Sequence, residues 1–215
     1  MGPSDTGSED RAHRLLIARD VSRETLANLD LLAAELVRWQ SIKNLVGPVT
    51  LNQIWTRHIA DSMQLLRYAP GPGPWLDLGS GGGFPGLVVA MARTETREGT
   101  THLVESNGRK CAFLRHIVRV AGLDAEVHEA RIEEILPRFD HSFAVVSARA
   151  LASMSQLLIW TNQLLRKGAL GIFPKGQDVE RELKEAATSW EFSADVRQSL
   201  TDQKARVVLV RMTQP

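Results

Sequence analysis

Residues 75–86 read Trp75-Leu76-Asp77-Leu78-Gly79-Ser80-Gly81-Gly82-Gly83-Phe84-Pro85-Gly86. The run 75–78 is apolar except for Asp77 and stops at a glycine cluster, a length that suits a buried strand rather than a helix. Residues 84–92 are again apolar and read as a helix, with Pro85 near the first turn, where its missing N–H costs nothing. A strand, a glycine turn and a helix together open a sheet of parallel strands covered by helices. Glycines tolerate positive φ and place no Cβ between the backbone and a bound group. In a doubly wound sheet, ligands sit beyond the carboxyl ends of the strands where strand order reverses. The turn at 79–86 is therefore the expected site.

The same alternation continues downstream. Strands are expected near 101–105, 125–128, 143–147 and 169–174. Helices are expected at 108–121, 153–165 and 178–187, with a short element at 132–136. Two adjacent strand-like runs, 190–196 and 205–211, suggest an antiparallel hairpin on one edge. The expected fold class is α/β: a doubly wound, mostly parallel sheet with an antiparallel edge hairpin. Upstream, apolar residues at three- and four-residue spacing (Leu26, Leu29, Leu32, Ala33, Leu36) predict a helix that starts after Ser22, and another is expected over 51–67. The run Pro70-Gly71-Pro72-Gly73-Pro74 interrupts any regular element. The chain thus divides into a polar, disordered tail (1–10), an N-terminal helical extension packed on the main domain (11–70) and the main domain (71–215).

Composition narrows the function. The chain has 215 residues, 43% apolar and 24% charged, with a net charge of +1. Residues 1–70 hold eight acids and eight bases, so neither the whole chain nor the extension is a basic nucleic-acid arm. Any such contact must come from local charge. The single cysteine, Cys111, excludes an intrachain disulfide and a cysteine-cluster zinc site, and reads as a packed thiol in a reducing, cytoplasmic compartment. No stretch approaches the roughly 18 apolar residues of a membrane span, and the start lacks a signal-peptide core. The six histidines (13, 58, 102, 116, 128 and 141) share no metal-binding spacing, so no metal is expected.

Two glycine frames fit the loop. Gly81-x-Gly83-x-x-Gly86 matches the dinucleotide fingerprint and would make the chain an NAD-dependent oxidoreductase. Asp77-x-Gly79-x-Gly81-x-Gly83 matches the first motif of class I methyltransferases. The first frame begins late after the strand and puts Pro85 between its last glycines. The second starts where the strand ends and includes its acid, so it is favoured. Glu105, closing the next strand, can accept hydrogen bonds from both ribose hydroxyls, which suits an adenosine ligand in either frame.

Further motifs follow in order: Asn44-Leu45, Arg57-His58-Ile59-Ala60-Asp61-Ser62, the glycine loop, Glu105-Ser106 with Arg109-Lys110 and Phe113-Leu114, Arg131-Ile132-Glu133-Glu134, Ser147-Ala148-Arg149-Ala150, and Lys175-Gly176. Over residues 39–176 the chain resembles the bacterial guanine-N7 methyltransferases of small-subunit ribosomal RNA (methyltransferase G, or glucose-inhibited division protein B). It departs from their pattern at Val46-Gly47-Pro48, where a Thr-containing run is commoner, and at Ala148, an added small residue before Arg149.

The resemblance implies a class I, Rossmann-like methyltransferase. The donor would be S-adenosyl-L-methionine, with S-adenosyl-L-homocysteine as product, and the acceptor a guanine of 16S ribosomal RNA in a 30S particle or its precursor. It implies a cytoplasmic monomer with no membrane partner. Gly79 and Phe84 would line the cofactor pocket, Glu105 would hold the ribose, Ile132 and Glu133 would flank the adenine, and Arg149 would stand at the methyl-donor site. Among basic residues, Arg109, Arg115, His116 and Arg119 are expected on one exposed arc of the helix after Glu105, available to phosphate. Lys175 is expected in a loop with the same potential contact. Arg57, His58 and Asp61, within one helical turn, either pack the extension on the glycine loop or touch RNA. A non-catalytic RNA-binding assembly factor that keeps the fold is the remaining alternative.

Overall fold

The computed structural model describes residues 3–43 and 45–213. Its centre is a seven-stranded sheet. Strands β1 (Trp75–Leu78), β2 (Thr101–Glu105), β3 (Ala125–Glu129), β4 (Val145–Ala148) and β5 (Leu170–Lys175) run parallel. β6 (Phe192–Gln198) and β7 (Arg206–Met212) form the antiparallel edge. Across the sheet the order is β3-β2-β1-β4-β5-β7-β6. β1 is buried along its whole length, as its near-continuous apolar run requires between two helical layers. The chain steps outward from β1 to β3 and then returns to the other side of β1, so strand order reverses between β1 and β4. There Leu78 is the partner of Ala148. Gly79 and Arg149, the next residue of each strand, consequently leave the sheet side by side.

The extension begins with helices α1 (Pro3–Asp20) and α2 (Arg23–Lys43) and continues through a short α3 (Asp61–Met63). Helices α4 (Gly86–Thr94) and α5 (Gly108–Val120) cover one face of the sheet. After β3 comes a single turn, α6 (Ile132–Ile135), and α7 (Met154–Arg166) and α8 (Val179–Ala187) cover the other face. The extension forms a further layer outside α4 and α5. Its helix α2 buries Leu29, Leu32 and Leu36 completely, in one core with Leu87 and Met91 of α4 and Phe113 and Ile117 of α5. Ser22 caps α2 as expected, accepting from the Thr25 N–H at 2.9 Å.

The expected tail at 1–10 is corrected in part. Residues 1–2 lie outside the described residues, but α1 starts at Pro3. Partners distant in the chain account for this. The Asp10 carboxylate accepts from the Thr56 N–H (2.8 Å), and the Arg14 guanidinium forks onto Asp30 (2.7 and 2.6 Å). These bonds anchor a helix that its composition alone would not nucleate. The expected helix at 51–67 is likewise irregular. It passes from a 3₁₀ turn (Pro48–Gln53) through a π-helical turn (Ile54–Ala60) and α3 to a second 3₁₀ turn (Gln64–Tyr68). Asn44 of the quoted motif lies outside the described residues.

Candidate functional site

The glycine loop is tied down from below. Asp77, fully buried, accepts from the Gly86 N–H through Oδ2 (3.1 Å) and from the Ser147 hydroxyl through Oδ1 (2.7 Å). The Ser147 oxygen in turn accepts from the Trp75 indole N–H (2.8 Å). Burial raises the Asp77 carboxyl to about 6, against the lowering effect of the bonds from Ser147, Ser80 and Gly86. The acid that completes the sequence motif thus braces β1, β4 and the start of α4 from inside the sheet. Gly86 is required here on steric grounds: a Cβ would stand 2.6 Å from Asp77 Oδ2 and 2.3 Å from a Leu103 methyl.

Above the brace lies a cleft of about 360 Å³ between the ends of β1, β2 and β4. Gly79 and Gly81 form its floor and Glu105 one end, while Ile132, Glu133 and Leu151 form the wall. Gly79 has φ +66°, the left-handed region where glycine carries no Cβ penalty. The Glu105 carboxylate accepts from Gly81 N–H (2.9 Å) and Asn107 N–H (2.8 Å). An ionised carboxylate has about four acceptor sites, so two remain for a ligand. Glu133 accepts from the Trp160 indole N–H at 2.9 Å, which fixes both side chains at the rim. The volume falls in the range of small-molecule sites, about 300–1,000 Å³. A backbone floor without Cβ atoms, the apolar side chains of Ile132 and Leu151 and an acid with free acceptors fit the ring and the diol of an adenosine-bearing group. Trp160, Leu151 and Lys110 also line this cleft and were not selected from the sequence. Lys110 belongs to the Arg109-Lys110 motif, but nothing local marks Leu151 or Trp160, which reach the cleft from a loop and from α7.

Phe84 packs with residues of the extension. It is 4% exposed and lies behind the loop, its ring stacked on His58 (centroids 4.8 Å, 28°) and 5.5 Å from the Arg149 guanidinium. The ring therefore lies against both His58 and Arg149 and helps hold them in place.

Arg149 follows β4, just before Ala150, whose φ of +51° is unusual for a residue with a side chain. Its guanidinium donates to the Arg57 carbonyl (2.9 Å), Asp61 Oδ2 (3.1 Å) and His58 Nδ1 (3.0 Å). Arginine only donates, so His58 Nδ1 accepts and the ring proton sits on Nε2, which donates to Thr50 Oγ1 (2.9 Å). Burial, then the charges of Arg149 and Arg57, lowers His58 to about 3, which keeps the ring neutral near pH 7. The three residues of the extension motif are thereby divided. His58 and Asp61 orient Arg149, whereas the Arg57 side chain turns away to Asp202 at 2.6 Å. The wide π turn is the local device that directs the Arg57 carbonyl and these side chains to one point, and such turns recur at functional sites.

A second cleft, of about 390 Å³, opens on the other side of Arg149. Arg57, His58, Asp61, Thr201 and Arg206 line it, so the extension and the β6–β7 hairpin close it together. Arg149 and Ala150 line both clefts.

The basic candidates separate by environment. Arg109 and Arg119 are exposed on α5. Arg115 is exposed and paired with Glu129 at 2.8 Å. His116 is not on their arc. It meets Glu35 Oε2 at 2.8 Å and lies 5.3 Å from the Trp39 ring, because α2 overlies that edge of α5. Lys175 is not a loop lysine. It ends β5, and its largely buried ammonium donates to the Ala152 carbonyl and Glu182, both at 2.6 Å, at the margin of the second cleft. Cys111 is buried, bonded to the Glu105 carbonyl (3.2 Å) and raised above its ordinary pKa by burial, as expected of a packed thiol.

The architecture recurs in solved methyltransferases. The B. subtilis m1A22 tRNA methyltransferase TrmK superposes with a TM-score of 0.58 at 13% identity, over 74% of this chain and 68% of that one. The ribosomal protein L11 methylase of Lactobacillus delbrueckii subsp. bulgaricus gives 0.54 at 16%, over 72% and 77%. At such identities the likeness is one of fold, a Rossmann-like methyltransferase fold. Sequence comparison is more specific. The ribosomal RNA small subunit methyltransferase G of Methylobacterium nodulans is 54% identical over 198 residues, 92% of this chain and 93% of the relative. That of Methylobacterium sp. (strain 4-46) is 52% identical over 211 residues, 98% and 96%. The family model described as rRNA small subunit methyltransferase G matches residues 25–209, so the match takes in α2 and the π turn together with both clefts. The oxidoreductase frame has no such support, and the chain belongs to the rRNA small subunit methyltransferase G family.

Proposed function

We propose that this chain moves a methyl group from S-adenosyl-L-methionine to N7 of a guanine in 16S ribosomal RNA, leaving S-adenosyl-L-homocysteine. The observation that carries this reading is the position of Arg149, held by three bonds at the junction of two clefts where strand order reverses. One cleft suits an adenosine, and the other has the polar lining a base would need.

Bound S-adenosyl-L-methionine supplies a methyl carbon on a sulfonium, open to in-line displacement. Glu105 accepts from the two ribose hydroxyls, and Gly79 lets the backbone lie against the bound group. Ile132 packs on the adenine, with Glu133 at its edge. Arg149 donates to guanine O6 or to the donor's carboxylate. It leaves N7 free, because a bidentate grip on O6 and N7 would block the nucleophile. Guanine N7 offers a lone pair and no proton, so the transfer needs neither a general base nor a metal. The work of the chain is alignment, which alone can contribute about 7–11 kcal/mol. His58 and Asp61 contribute by fixing Arg149, and neutral His58 accepts without competing for it.

The RNA would run along the exposed face of α5, meeting Arg109 and Arg119, with Arg115 partly neutralised by Glu129. The substrate form is the 30S particle or its precursor. The chain acts as a cytoplasmic monomer without a membrane partner. Residues 71–215 carry the cofactor cleft, and the extension at 11–70 completes the acceptor cleft. The test is nuclease digestion and mass spectrometry of 16S RNA from cells lacking the gene, complemented with wild type or Arg149→Ala. One 7-methylguanosine should vanish and return only with wild type; an unchanged 7-methylguanosine content overturns the proposal. A pure assembly factor would bind the particle without any turnover, which the same cells would reveal.

A further inference from the structure

On the face of the sheet covered by residues 132–143, three potential ligands converge that lie apart in the chain. His102 stands on β2, and Glu126 and His128 stand two residues apart on β3, so both point to one face. The parallel register makes His102 the partner of Glu126. His102 Nδ1 and His128 Nε2 are 3.0 Å apart, and Glu126 Oε2 lies 3.7 Å from the first and 3.8 Å from the second. Among the described residues this is the one group of three or more such side chains whose ligand atoms converge in this way.

A tetrahedral zinc ion about 2.0–2.1 Å from nitrogen or oxygen ligands separates those ligands by about 3.3–3.4 Å. The observed triangle of 3.0, 3.7 and 3.8 Å brackets that edge without backbone movement. The surroundings are also suitable. Phe139 and Phe143 meet the His102 ring edge-on at 5.7 and 5.3 Å, which holds the ring in place. His102 is buried and His128 half-buried, whereas Glu126 is exposed, so one side remains open to a solvent ligand.

We propose that His102, Glu126 and His128 form a binding site for a divalent transition metal, zinc in the first instance. The site clips edge strand β3 to β2, with His102 Nδ1, His128 Nε2 and Glu126 Oε2 as protein ligands and water completing the shell. One of the two facing nitrogens carries a proton, which moves to the far nitrogen of its ring, so both imidazoles bind neutral. Two histidines and one carboxylate are a donor set zinc accepts. The site is separate from the proposed chemistry, because His102 precedes Glu105 by three residues, about 10 Å along the strand. Its expected consequence is a firmer β2–β3 edge beneath the Glu105 end of the cofactor cleft.

The test is titration of metal-free protein with Zn²⁺ against a chromophoric chelator, with thermal unfolding followed in parallel. Wild type should take one equivalent and melt at a higher temperature in its presence. His128→Gln and Glu126→Gln, checked for folding by circular dichroism and for unchanged S-adenosylhomocysteine affinity, should each weaken zinc binding at least about tenfold. They should also lose the metal-dependent rise in melting temperature. Absence of stoichiometric binding, or binding that both variants retain, would overturn the assignment. If one variant misfolds, the other decides on its own.

Discussion

Arg149 makes demands that a single ammonium cannot meet. Its planar fork reaches a carbonyl, a carboxylate and a ring nitrogen at once, with its face toward Phe84. Arg149→Lys is therefore expected to lower single-turnover methyl transfer by about 100-fold, the cost of roughly 1 Å of misplacement. S-adenosylhomocysteine affinity should change far less; a lysine variant with wild-type rate would show that the fork does not orient the acceptor. Asp77 offers a second test at this scale. Burial lifts it from an ordinary 3.8 to about 6, so the folded state holds the proton more tightly than the unfolded state. The resulting stabilisation is complete below the ordinary value and disappears as pH rises through the folded one, an effect on the order of 3 kcal/mol. Compared with non-titrating Asp77→Asn, wild-type unfolding free energy from urea curves should decline between about pH 4 and 6 and then level off. A difference that is flat with pH would contradict a buried carboxylate under the loop.

At the level of elements, α5 is the part most fully legible in the sequence. Asn107 caps it, accepting from the Arg109 and Lys110 N–H groups at 3.0 and 3.3 Å, and Phe113, Leu114 and Ile117 form its buried side. The 3.6-residue periodicity is a local property, so it survives without knowledge of the fold, whereas the Asn107 cap is added by the structure. His116 is the exception, since only the docking of α2 decides that it faces Glu35. The exposed side gives a prediction: Arg109→Glu with Arg119→Glu should weaken RNA binding and reduce its log–log salt slope by about 2, one for each phosphate left without its arginine. Cofactor affinity should hold, and RNA binding unchanged by the double variant would remove α5 from the interface. The run at 48–68 is the contrary case. The sequence reads as one helix over 51–67, but the pitch changes three times. Those changes follow from partners far away in the chain, Asp10, Arg149 and Asp202, which periodicity cannot see.

For the molecule as a whole, the extension is part of the core. Leu29, Leu32 and Leu36 lie at zero exposure against α4 and α5. Burying each is worth about 2 kcal/mol, a large share of the stability of a chain this size. A fragment of residues 71–215 is expected to aggregate or unfold without a cooperative transition, as size-exclusion chromatography and near-ultraviolet circular dichroism would register. A soluble fragment with wild-type S-adenosylhomocysteine affinity would show that the sheet and its own helices suffice.

The order of strands and helices, the glycine turn after β1 and the acid closing β2 were all determined by the sequence itself. Periodicity, caps and turn residues act over a few positions, and a strand followed by Gly79-Ser80-Gly81 has few other ways to fold. The tertiary structure alone decided which side chains meet: Arg149 with His58 and Asp61, Lys175 with Glu182, Phe84 behind the loop and the His102–Glu126–His128 triangle. These meetings depend on strand register and helix docking across separations as long as the 145 residues between Arg57 and Asp202. Such partners are chosen by the packing of whole layers, which no window of sequence contains.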